Sequence, residues 1–240
     1  MAGIKKKYKK ILLKLSGEAL AGDKGFGIDV KVIQKTAQEI KEVVGLGVKL
    51  GIVVGGGNIF RGVAASARGM DRIQADYLGM LATLFNAVAI KEALKKVKIS
   101  AQVLSALPVQ ALAETYVPQA AKALMDKGTV LLLAAGTGNP FFTTDTAAAL
   151  RASELGAEVI LKATQVEGVF DKNPRLNPEA KIYKEISYTD YLQGNLQVMD
   201  ATAVSLAREH RIPIIVFNGL IEGNLKKIIL GSRLGTLIKG

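Results

Sequence analysis

Four segments of this 240-residue chain combine charged and hydroxyl side chains with glycine in ways that suit phosphate. In Lys14-Leu15-Ser16-Gly17-Glu18-Ala19-Leu20, a lysine ends an apolar run just before a glycine turn. Its charge either reaches an anion beyond the turn or protects a strand edge. Gly55-Gly56-Gly57-Asn58-Ile59-Phe60-Arg61-Gly62 can turn backbone N–H groups toward phosphate. Arg61 then either grips two phosphate oxygens with its planar fork or starts a solvated helix. The third segment runs Gly136-Thr137-Gly138-Asn139-Pro140-Phe141-Phe142-Thr143-Thr144-Asp145-Thr146 into an alanine-rich stretch. Asp145 is either a first-turn acid that favours the helix dipole, or the group that orients Lys14 or a metal while the threonine hydroxyls take substrate. The fourth is Lys162-Ala163-Thr164 followed by Gly168-Val169-Phe170-Asp171-Lys172-Asn173-Pro174. It reads as a strand end and turn, either an ordinary connection or the seat of a second nucleotide.

The elements that must position these groups follow from hydrophobic pattern. Short apolar runs at 10–15, 48–54, 99–104, 129–135, 158–163 and 213–217 predict strands. Most are unbroken rather than alternating, as in parallel strands covered on both faces. Amphipathic stretches at 29–46, 71–96, 118–127, 144–155, 200–210 and 222–230 predict helices between them. Asp29 and Asp200 are placed to cap two of these. His210 sits where it would cap the other end of the helix that Asp200 starts, before Arg211-Ile212-Pro213. The alternation predicts an α/β fold, a three-layer α/β/α sandwich around a mostly parallel sheet. The stretch 171–180, with two Asn-Pro pairs, is the clearest loop. Strand patterns on both sides of it argue for one continuous sheet and a single domain over 1–240. Three glycine clusters (Ser16-Gly17, Gly55–Asn58 and Gly136–Asn139) fall just past strand C-termini. That is where open α/β sheets bind ligands, and where glycine and helix N-termini favour anions. A single such cluster would read as a tight turn; three with nearby Lys and Arg point to more than one phosphate.

Several chemistries are excluded. The dipeptide Gly-Lys never occurs, so no P-loop exists. Both Gly-x-Gly runs end in Phe where the dinucleotide fingerprint needs Gly, at Phe60 and Phe141. The protein-kinase motif set is missing. Zero cysteines remove thiolate metal sites and thiol nucleophiles, and one histidine removes multi-His sites. The formal charge of +11 suggests an anionic partner, but five lysines between Lys5 and Lys10 supply much of it and leave +6 without them. That run reads as a solvated lead-in to the first strand. No tryptophan and 5% aromatics make a stacking platform for single strands improbable, so nucleic acid is not expected. No signal-peptide pattern is evident and no apolar run approaches a membrane span, so the expectation is a cytoplasmic protein with no membrane partner.

Taken together and in this order, the four segments resemble the amino-acid-kinase superfamily, and within it the bacterial uridylate (UMP) kinases. Phe26-Gly27-Ile28-Asp29 and Met199-Asp200-Ala201-Thr202-Ala203 extend the resemblance over nearly the whole chain. The resemblance implies transfer of the γ-phosphate of ATP to UMP, giving UDP and ADP, in pyrimidine nucleotide synthesis. It implies a UMP-binding lobe over about 1–155 and an ATP-binding lobe over about 156–240. Lys14, Leu15, Ser16, Gly17, Gly57 and Arg61 would bind ATP phosphates, with Lys162, Thr164, Phe170 and Asn173 along the rest of that nucleotide. Gly56, Asp76, Thr137, Gly138, Asn139, Pro140, Phe141, Phe142, Thr143 and Thr144 would bind UMP. Lys14, Arg61 and Asp145 would be catalytic. Asn173 stands where many members carry Asp; it accepts a hydrogen bond but adds no charge.

The resemblance further implies Mg²⁺ carried mainly on the ATP phosphates, with no dedicated metal residues. It implies a homohexamer, inhibited by UTP and activated by GTP, with effector contacts at Gly22, Asp23, Lys24, Gly25, Phe26 and Gly27. No general base is sought, because an ionised phosphate oxygen is already a nucleophile and phosphoryl transfer depends on positioning and charge.

Overall fold

The computed structural model describes residues 6–61, 66, 69–174 and 176–240. Lys5, Gly62 and Arg175, each part of a segment noted above, lie outside them. Among the described residues nine strands form one sheet: β1 (Lys10–Leu15), β2 (Lys49–Val54), β3 (Ala101–Ser105), β4 (Glu114–Thr115), β5 (Val130–Ala134), β6 (Val159–Thr164), β7 (Glu185–Ser187), β8 (Ile214–Asn218) and β9 (Thr236–Lys239). Their order is β4-β3-β5-β2-β1-β6-β8-β9-β7. Every pairing is parallel except β8 with β9.

The unbroken apolar runs are explained by burial on both faces. Ile11 and Leu13 of β1 join one core, and Leu12 joins the other. The first core is closed by α2 (Val30–Gly45), α3 (Arg72–Lys96) and α8 (Asn224–Ile229). The second is closed by α4 (Pro118–Asp126), α5 (Thr144–Leu155), α6 (Tyr188–Gln193) and α7 (Ala201–Glu209). This is the expected three-layer sandwich. Asp29 caps α2 through Lys31 N and Val32 N, and Asp200 caps α7 through Ala203 N. His210 is the C-cap of α7.

The differences from the sequence reading have local causes. The short strands β4 and β7 are polar or nearly so and exist through tertiary pairing, Leu104 with Glu114 and Ile186 with Ile238. The single-turn α1 (Gly17–Leu20) and the short α6 carry too few residues for a period to show. Helix α8 starts at Asn224 because Gly223 before it is left-handed, φ +79. The long α3 has a length and composition that would also suit a membrane span. Here it is a core helix, with Ala87, Ile90 and Leu94 wholly buried against the sheet.

The Lys run is partly tied down. Lys6 Nζ donates to the carbonyls of Leu46 and Gly47, and Lys10 Nζ pairs with Asp126 at 3.2 Å.

Candidate active site

From β1 the chain continues to β2 on one side of it, and from β6 it continues to β7, β8 and β9 on the other. The C-terminal ends of β1 and β6 therefore border a topological switch point, the place where open α/β sheets form a crevice. Lys14 and Lys162 are direct register partners across these two strands. Register partners in a parallel pair share a face, so two ammonium groups are set side by side. Both residues are buried, at 9% and 6% exposure. Lys14 thus lies on a central strand and protects no edge.

Two buried like charges need a counter-charge, and α5 supplies it. Thr143 caps that helix, its hydroxyl accepting from Asp145 N at 3.0 Å and Thr146 N at 3.4 Å. This places Asp145 in the first turn, over the two lysines. Its Oδ1 forms an ion pair with Lys14 Nζ at 3.0 Å, and its Oδ2 accepts from Lys162 Nζ. Lys162 Nζ also donates to the carbonyl of Val198. Burial pushes the Asp145 carboxyl up, but the Lys14 and Lys162 charges outweigh it and hold it below the usual carboxylate range. Asp145 is therefore an anion in neutral solution. Burial also pulls Lys162 below the usual lysine range, against the attraction of Asp145. The centre carries two positive charges and one negative beside a helix N-terminus, and so attracts a further anion.

The glycine loops close round this centre. A Cβ on Gly17 would lie 2.5 Å from the Gly55 carbonyl oxygen, so the first two loops touch through a position that has no room for a side chain. Gly57 follows, and Arg61 Nε donates back to its carbonyl at 3.2 Å. Arg61 is exposed and paired with Glu18 at 2.8 Å, which ties its guanidinium to the first loop.

On the β2 and β5 side, a cavity of about 190 Å³ opens between α3 and the Gly136–Thr144 loop. Gly56, Asp76, Thr137, Phe142, Thr143 and Thr144 line it, and so does Gly57, which the resemblance gives to ATP. Arg72, Met80 and Thr83 join them. Asp76 accepts from Arg72 Nε at 3.0 Å and from Phe141 N at 2.8 Å, so it fastens the loop to α3. Gly138, Asn139, Pro140 and Phe141 form the outer turn and do not line the cavity. Phe141 is left-handed at φ +71, with its ring 5.6 Å from the Arg72 guanidinium.

On the β6 side, Thr164 is held in a local turn by Val166. Phe170 bridges Ile182 across a hairpin. The Asn173 carbonyl accepts from Leu176 N and Asn177 N and starts the following turn. Lys14 and Lys162 point to the opposite face of the sheet from a second cavity, of about 380 Å³, lined in part by Leu15, Ser16, Gly22, Asp23 and Thr164. The 22–27 segment meets the second glycine loop through paired backbone and side-chain bonds between Gly27 and Asn58.

One site residue was hidden behind a simpler role. Asp200 caps α7, but it also accepts from the hydroxyls of Thr143 and Thr146. It locks the start of α5 to the start of α7, and with it the Asp145 position. The two threonines flanking Asp145 were the available signal.

A model of the amino acid kinase family matches residues 9–218. The chain belongs to that family. Among family structures, the UMP kinase from Bacillus anthracis is 40% identical over 97% of this chain and 96% of that one, with a TM-score of 0.94. The UMP kinase from Ureaplasma parvum is 35% identical over 98% of this chain and all of that one, at 0.91. The uridylate kinase from Archaeoglobus fulgidus is 29% identical over 95% of this chain and 99% of that one, at 0.75. The amino acid kinase fold that the resemblance implies is thus the one observed.

Proposed function

We infer that the chain is an ATP-dependent kinase that phosphorylates UMP. The observation that carries this is the Lys14–Asp145–Lys162 centre, with the acceptor cavity beginning at the neighbouring Thr143 and Thr144 and the end of β6 at Thr164 beyond Lys162. The choice of UMP rests on structural neighbours that are UMP kinases at 35–40% identity over nearly full length. A phosphate oxygen of UMP attacks the γ-phosphorus of ATP, a new P–O bond forms, and the bond to the β-bridging oxygen breaks to release ADP. Lys14 and Lys162 offset the charge spread over the transferring group, and Asp145 keeps both ammoniums fixed and aimed. Arg61 and the N–H groups of the Gly17 and Gly57 loops hold ATP phosphates, and Thr143 and Thr144 face the acceptor.

Among the described residues no cluster of three or more His, Cys, Asp or Glu could hold a metal, and both Asp145 oxygens face ammonium groups. That donor set suits Mg²⁺ arriving on the ATP phosphates, which would supply further charge neutralisation there. Within this reading, residues up to about 155 form the acceptor lobe and those after it the ATP lobe, meeting at β1 and β6. A cytoplasmic location goes with it, where both nucleotides are found. UTP inhibits by competing for the UMP cavity between α3 and the Gly136–Thr144 loop. GTP contacts fall at Gly22–Gly27, whose tie to Asn58 would carry their effect to the glycine loop.

The deciding measurement is ADP release with UMP, CMP, aspartate, glutamate and carbamate as acceptors. Turnover is expected with UMP; turnover on an amino acid with none on UMP overturns the reading.

The same proposal includes self-association into six copies. Leu78, Leu81 and Phe85 stand out from α3 at helical spacing, Phe85 being 59% exposed, and an apolar stripe of this kind is costly in water. Phe85→Asp is expected to give a smaller particle in sedimentation velocity than the parent protein. An unchanged sedimentation coefficient would remove α3 from the interface.

A further inference from the structure

Helix α3 is apolar along its sheet-facing side apart from two residues three positions apart, Thr83 and Asn86. They are 3% and 0% exposed. Buried polar groups persist when they are fully bonded, and these two bond to substrate loops rather than to the sheet.

Thr83 uses both capacities of its hydroxyl. Oγ1 donates to the Met80 carbonyl at 2.7 Å and accepts from Ala135 N at 2.7 Å. Ala135 is left-handed at φ +61, an unfavourable conformation for alanine, and Gly136 after it is left-handed at φ +58. The turn that launches the Gly136–Thr144 loop is therefore held against its local preference, and the Thr83 hydroxyl is what holds its first N–H.

Asn86 does the same for the other loops. Its Nδ2 donates to the Gly55 carbonyl at 2.7 Å and to Asn58 Oδ1 at 2.7 Å, and its Oδ1 accepts from Asn58 Nδ2 at 3.0 Å. The remaining Asn58 N–H goes to the Gly27 carbonyl at 2.7 Å. Both amides thus use every donor. Gly17 packs on the same atoms, since a Cβ there would lie 2.5 Å from Gly55 O and 2.7 Å from Asn58 Oδ1. Gly56 rests on α3 itself, where a Cβ would lie 2.8 Å from the Gly79 carbonyl oxygen.

We propose that Thr83 and Asn86 are the positioning pair of this enzyme: from one helix, Thr83 sets the acceptor loop, and Asn86 sets the first two glycine loops, which hold ATP phosphates and at Gly56 border the acceptor cavity. The proposal rests on assigning the Gly136–Thr144 loop to the acceptor. Thr83 borders the acceptor cavity, but its hydroxyl is spent on Met80 O and Ala135 N, so each residue acts through the backbone it fixes.

Steady-state kinetics with each substrate varied separately tests it. Thr83→Val keeps the side-chain shape and strands Ala135 N–H. It is expected to raise KM for UMP about tenfold with KM for ATP unmoved, and Thr83→Ser is expected to restore it. Asn86→Asp removes both donated bonds and is expected to lower kcat and raise KM for ATP. If Thr83→Val acts on ATP alone, the positioning role stands and the loop assignment falls. If both variants shift the two KM values by the same factor, or lower only the melting temperature with parental kinetics, the pair is packing and the proposal is overturned. Should Asn86→Asp not fold, the Thr83→Val and Thr83→Ser pair still decides it.

Discussion

Asp145→Asn is expected to lower kcat by about a thousandfold or more while the protein still folds, read by ADP release and by far-ultraviolet circular dichroism. The amide fills the same space but removes the one negative charge between Lys14 and Lys162. Two buried ammoniums then face each other across adjacent strands, and their aim at the transferring phosphate is lost. Breaking a buried ion pair from one side also costs about 3–5 kcal/mol, so the melting temperature should fall with the rate. The double variant Asp145→Asn with Lys162→Met separates the two effects. Removing the second charge relieves the repulsion and should return much of the stability, while turnover stays low. Lys14→Ala should be as inactive as Asp145→Asn. Turnover near the parental value in folded Asp145→Asn would sink the role given to this centre.

Gly17→Ala is the second large effect, and it acts through geometry alone. The added methyl would meet the Gly55 carbonyl oxygen at 2.5 Å and Asn58 Oδ1 at 2.7 Å, and neither can step aside. Gly55 N is bonded to the Leu15 carbonyl at 2.9 Å, and Asn58 is locked to Asn86. The first two loops must therefore separate. Displacing a substrate-holding loop by about 1 Å costs on the order of a hundredfold in rate, and overpacking costs about 1–3 kcal/mol in stability. kcat/KM with ATP varied should fall by that factor, with a melting temperature several degrees lower. Parental kinetics in Gly17→Ala would show that the two loops need not touch during turnover.

What could be read before folding, and what could not, divides along physical lines. The central strands were legible because burial on both faces writes an unbroken apolar run into the chain, as in Val130–Ala134. The strands β4 and β7 were not, because their pairing partners, rather than their own residues, make them strands. The loops were legible because only glycine permits contacts such as Gly17 on Gly55. Lys14 and Asp145 could be suspected from their positions beside glycine turns. Lys162 gave little sign of lying at the centre, because its place depends on the β1–β6 register, which no local pattern encodes. Asp200 and Asn86 were hidden for a related reason. One looked like a sufficient helix cap, and the other sits inside a long, mostly apolar helix where no local pattern marks it.

The β1–β6 seam also governs when the enzyme can become an enzyme. Strands β1, β2, β3 and β5 all come from the first part of the chain and can pair among themselves. Lys14 gains Lys162 as a neighbour only when β6, far away in sequence, docks on the exposed edge of β1. Long-range parallel pairing of this kind is slow, because loop-closure entropy is lost before contacts compensate it. In refolding from denaturant, recovery of nucleotide turnover should therefore lag behind recovery of helix signal. A nucleotide held across the C-terminal ends of β1 and β6 would act as a clamp on that seam.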